Sequence, residues 1–98
     1  MRGGVAAMVA ARNSHAVAAL GGKLYAVGGL NDDDGYLSSV ERYDPALDAW
    51  EAVAPMAEAR NKLGVAVLDG KLYAVGGDSD DGLLSSVERY DPALNAWE

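Results

Sequence analysis

The side chains able to do chemistry come mostly in pairs. Arg12-Asn13 recurs as Arg60-Asn61, Gly28-Gly29 as Gly76-Gly77, Ser38-Ser39 as Ser85-Ser86, and the acidic stretch NDDDG (31–35) as DSDDG (78–82). His15 is the one histidine, and Leu63 holds the corresponding place. A position that accepts leucine reads as a packing site rather than a general base. The glycine pairs lack the spacing and the Lys-Ser/Thr of a phosphate loop, so they mark backbone conformations closed to other residues. The serine pairs have no neighbouring group to activate a hydroxyl, and contacts to a strand end or loop account for them. In a calcium loop, acids stand at the first, third and fifth places before a glycine. Here Leu30 or Gly77 takes the first place and Ser79 the third of the second copy, so the acidic stretches read as solvated turns. No catalytic residue, metal site or cofactor is expected. Arg12 and Arg60 are the polar residues of most interest, and Glu41 and Glu88 are the carboxylates with which a buried arginine would pair.

Composition narrows the classes of partner. Half of the 98 residues are hydrophobic, enough for a modest core. The formal charge is −7, from 8 Lys and Arg against 15 Asp and Glu, which disfavours nucleic acid and anionic membrane as partners. There is no cysteine and therefore no disulfide framework or thiolate metal site. The opening MRGGVAAMVAA resembles a weak signal peptide, but its letters belong to the repeat that follows. No run has the length of a transmembrane helix, and the cellular compartment is left open.

The elements that position these residues are written twice. LYAVGG occupies 24–29 and again 72–77, an offset of 48 that also sets Met8 on Met56 and Val17 on Val65. Past the glycines the offset is 47, and SSVERYDPALDAWE (38–51) lies on SSVERYDPALNAWE (85–98) with Asp48 against Asn95 as the one difference. The missing residue falls in the acidic stretch, where a loop can shorten without disturbing a strand. Within a unit, GVAVLDGKLYAVGG (64–77) predicts two strands around an Asp69-Gly70 turn. SSVERY predicts a third strand, and a turn containing Pro45 or Pro92 leads to a fourth near Trp50 or Trp97. The class is all-β, each unit a four-stranded antiparallel meander without helical period.

A Gly-Gly pair, a Tyr 14 or 13 residues beyond it (Tyr43, Tyr90) and a Trp seven further on (Trp50, Trp97) resemble the Kelch repeat, as do the flanking SVERYDP and APM...R. That resemblance implies two blades of a β-propeller, a ring of about five to seven blades and often six. Repeat 1 spans 4–51 and repeat 2 spans 52–98. Two blades alone leave an apolar face at each end, and head-to-tail contacts between copies close a ring when the rotation permits. The expectation is a homotrimer of six blades. The first residues of repeat 1 would complete the outer strand of the neighbouring chain's last blade, with Trp97 buried by that neighbour and Met1, Arg2 and Gly3 left as an added tag. The resemblance also makes Arg12, Asn13, Arg60 and Asn61 candidate contacts for a peptide or protein ligand at the channel mouth. Near-identical repeats and plentiful alanine suggest a designed or consensus-like unit, a self-assembling scaffold without catalytic activity. The alternative is a fragment of a Kelch adaptor that binds a partner on its loop face.

Overall fold

The computed structural model describes residues 4–98; Met1, Arg2 and Gly3, read above as a tag, lie outside them. Among the described residues twelve strands follow in chain order. The first sheet and its hairpin hold β1 (Ala16–Leu20), β2 (Lys23–Val27), β3 (Leu30–Asn31), β4 (Gly35–Tyr36), β5 (Val40–Asp44) and β6 (Ala49–Val53), the last running two residues past the 4–51 bound of repeat 1. The second holds β7 (Gly64–Leu68), β8 (Lys71–Val75), β9 (Asp78–Ser79), β10 (Gly82–Leu83), β11 (Val87–Asp91) and β12 (Ala96–Trp97). Each repeat is a four-stranded antiparallel sheet, β1-β2-β5-β6 and β7-β8-β11-β12, so the expected meander is present in both. The acidic stretches are more ordered than expected. Each forms a two-stranded hairpin, β3–β4 or β9–β10, too short for residue alternation to announce.

Local chemistry explains the turns. Asp69 and Gly70 both have positive φ, as the tight hairpin between β7 and β8 requires, and Gly21-Gly22 does the same between β1 and β2. The Gly-Gly pairs solve a different problem. A Cβ at Gly28 would sit 2.4 Å from the carbonyl oxygen of Arg60, and one at Gly29 would sit 2.7 Å from that of Asn13. Both residues also have positive φ, so side chains are excluded twice over.

The two sheets pack face to face through alternate residues of their strands. Tyr25, Val27 and Val40 of the first meet Leu63, Leu72, Ala74 and Tyr90 of the second, with Met56 from the connecting segment closing one end. The rings of Tyr25 and Tyr90 lie 5.7 Å apart at 58°, a tilted pairing favoured by their quadrupoles.

Candidate functional site

The repeated arginines turn inward. Arg12 lies just ahead of β1, and its side chain has no solvent exposure. Its Nη1 donates to the carbonyls of Gly28 (2.9 Å) and Ser39 (3.0 Å), tying the end of β2 to the approach of β5. Its Nη2 donates to Ser39 Oγ (3.1 Å) and Glu41 Oε2 (3.0 Å). Arg60 repeats the pattern with Gly76, Ser86 and Glu88, adding a bond from Nε to Glu88 at 3.3 Å. The pairing expected with Glu41 and Glu88 is therefore present. The serine hydroxyls serve this network: Ser86 Oγ also donates to Glu58.

The glutamates do more than neutralise arginine. Glu41 accepts the backbone amides of Val9 (2.7 Å) and Ala10 (3.0 Å), and Glu88 those of Ala57 (2.7 Å) and Glu58 (3.1 Å). A buried charge pair is tolerable when its remaining lone pairs are filled in this way. Sequence reasoning missed these bonds, because the amides lie about thirty residues away in sequence and carry no side-chain signal.

A second clamp stands at the outer edge. Tyr43 Oη donates to Asp48 Oδ1 (2.6 Å), which also accepts the amide of Ala6 (3.0 Å), while Trp50 Nε1 donates to the carbonyl of Ala6 (2.9 Å). Tyr90, Asn95, Trp97 and Ala54 repeat it at 2.7, 2.9 and 2.8 Å. One Oδ1 does both tasks, so Asp and Asn are interchangeable there. The two bonds hold the Asp48 carboxyl below its ordinary pKa, the Tyr43 hydroxyl first and the Ala6 amide second, and the same bond to Asp48 raises the Tyr43 phenol. Trp97, expected to depend on a neighbouring copy for its cover, is half-buried by its own chain through Ala54 and Tyr90.

The asparagines diverge. Asn13 is exposed, and its Oδ1 accepts from Ser14 Oγ at 2.8 Å. Asn61 is buried, and its Oδ1 has no partner among the described residues. Arg12, Asn13, Leu30, Asn31, Asp32 and Asp33 line most of an open groove of about 380 Å³ at the loop end of the first sheet. Within the acidic turns, Asn31 Oδ1 accepts the amide of Asp34 and Ser79 Oγ that of Asp81, while Asn31 Nδ2 donates outward to the carbonyl of Ala11 (3.0 Å). Among the described residues no three His, Asp or Glu side chains converge as metal ligands. His15 is half-buried against Gly29, and burial followed by the nearby Arg12 charge lowers its pKa.

The chain resembles known proteins in both sequence and shape. The family model described as Kelch motif matches residues 11–57 and 59–98. No curated protein matches the sequence. Among solved structures, that of YjhT superposes with a TM-score of 0.77 at 17% identity, over 89% of this chain and 37% of that one. The chain thus spans little more than a third of that structure, a likeness that speaks to the fold. With the repeats matched one by one and the paired meanders in place, the chain belongs to the Kelch motif family and forms two adjoining blades of a Kelch propeller.

Proposed function

We propose that this chain is the building unit of a homotrimeric six-bladed propeller, a scaffold without catalytic activity that assembles head to tail. One observation carries the reading. Val27 and Val40 of the first blade are 0% and 1% exposed, whereas their repeat counterparts Val75 and Val87 are 45% and 51% exposed. The residue types and strand positions are the same; a blade lies against the first pair and none against the second. The opposite face offers the complement, since Leu72 is 0% exposed and its counterpart Leu24 is 42% exposed. Burying one such side chain contributes about 1.5–3 kcal/mol, so several per seam exceed much of the cost of association. Propellers have roughly four to eight blades, and six, the frequent Kelch number, requires three copies of a two-blade unit.

The adaptor reading depends on arginines reaching an acidic ligand. Both guanidiniums already face carboxylates, carbonyls and serine hydroxyls, and the neighbouring Asp turns would repel an acidic peptide. Light scattering during gel filtration tests the ring: the expected mass is three times the 10.2 kDa of one chain. A stable, compact single chain with no affinity for hydrophobic dye would overturn the proposal. A peptide array on the assembled species tests the scaffold role. Uniform indifference is expected, whereas saturable binding lost in Arg12→Ala and Arg60→Ala would establish the adaptor instead.

A further inference from the structure

Among the described residues the seam between the two blades is stitched by four backbone hydrogen bonds, and each has an unmade counterpart. The first blade contributes the Gly29 amide, the Leu37 and Ser38 carbonyls and the Ser14 carbonyl. The segment leading into the second blade answers through Arg60 O (2.7 Å), Arg60 N (3.1 Å), Met56 N (2.9 Å) and Lys62 N (2.9 Å) respectively. On the second blade the equivalent groups are Gly77 N, Leu84 O, Ser85 O and Lys62 O. On the segment leading into the first blade they are Arg12 O, Arg12 N, Met8 N and Ser14 N. None of these eight has a backbone partner among the described residues.

The space for such a partner is also there. A Cβ on Gly28 would strike the Arg60 carbonyl at 2.4 Å, whereas the nearest atom to one on Gly76 is the Leu84 carbonyl of its own loop at 3.2 Å. The place that Arg60 fills beside Gly28 is vacant beside Gly76. The second blade also carries the apolar side chains of this seam uncovered: Leu68 and Val75 are exposed, while their counterpart Val27 lies in the core and Leu20, partly buried, packs against it.

We infer that the segment 4–15 of a second copy docks on the β8–β11 face in the same register that residues 52–63 adopt on the first blade. This rests on the ring reading and gives it atoms. Gly77 N donates to Arg12 O of the second copy, whose Arg12 N donates to Leu84 O, Met8 N to Ser85 O and Ser14 N to Lys62 O. The short outer strand β12 is lengthened at the same time. In the first blade Ala52 and Val53 pair with Glu41 and Val40, so Gly4 and Val5 of the second copy pair with Glu88 and Val87. Each repeated arginine then sits at a blade junction, one kind within the chain and the other between chains. An unmade backbone bond at a buried seam is costly, which makes the register specific and not merely apolar.

Residue-resolved amide hydrogen exchange on the wild-type chain, at a concentration where its mass has been measured, is the test. The amides of Gly29, Met56, Arg60 and Lys62 are the internal reference. Those of Gly77, Met8, Arg12 and Ser14 are expected to exchange within roughly tenfold of their counterparts. A three-chain mass with these four amides exchanging faster than that would overturn the register and leave the ring standing. A single-chain mass would overturn both.

Discussion

Each buried arginine is the centre of a network that bonds three separate stretches of chain. Arg60 and Glu88 are both buried, and Glu88 also accepts two amides of the connecting segment. Removing one member of such a pair typically costs about 3–5 kcal/mol because the other is left charged and unpaired. Glu88→Ala is therefore expected to lower stability by about that amount, read as a fall in urea midpoint, and a change below about 1 kcal/mol would contradict the arrangement. His15 supplies a pH dependence. Burial and Arg12 hold its pKa below the ordinary 6.5, so the native chain binds fewer protons than the unfolded one in the interval between. Its contribution is complete above 6.5 and is lost as pH falls through the lowered value. Wild type should lose more stability than His15→Leu between about pH 7.5 and about pH 5, either side of the imidazole range. Thermal unfolding at fixed chain concentration reads this, and equal losses would refute it. The Arg–Glu pairing was legible in the sequence, because a charged residue inside a strand needs a partner. The amides captured by Glu41 and Glu88 were not, since any residue carries one.

At the scale of elements, the same residue has two fates. Val27 of β2 is covered by the second blade, and Val75 of β8 occupies the same place on an uncovered sheet. Val27→Asp should unfold the chain, seen as loss of β signal in circular dichroism. Val75→Asp should retain that signal at the mass of one chain, because its carboxylate meets water within the monomer and an apolar seam only in the ring. Equal behaviour of the two variants would count against the assembly. The four-stranded sheet of each blade follows from alternation, turn residues and repetition. The two-residue hairpins β3–β4 and β9–β10 do not, because they rest on backbone pairing and a few turn contacts.

At the scale of the whole molecule, the quantities to measure are the mass and the protection of the four seam amides. Both should fall together on dilution, since association is governed by mass action. The net charge of −7 on every copy adds repulsion to a ring, so salt is expected to tighten it.

The sequence by itself determined the repeat, the meander within each blade, the turns, and the Arg–Glu pairing that each repeat carries. Tertiary structure decided which copy of each repeated residue is covered. Val27 and Val75 share the stretch LYAVGG, and no local rule separates them. Their exposure differs because burial belongs to the neighbour that packs against a sheet, and that neighbour is present on one side of each blade.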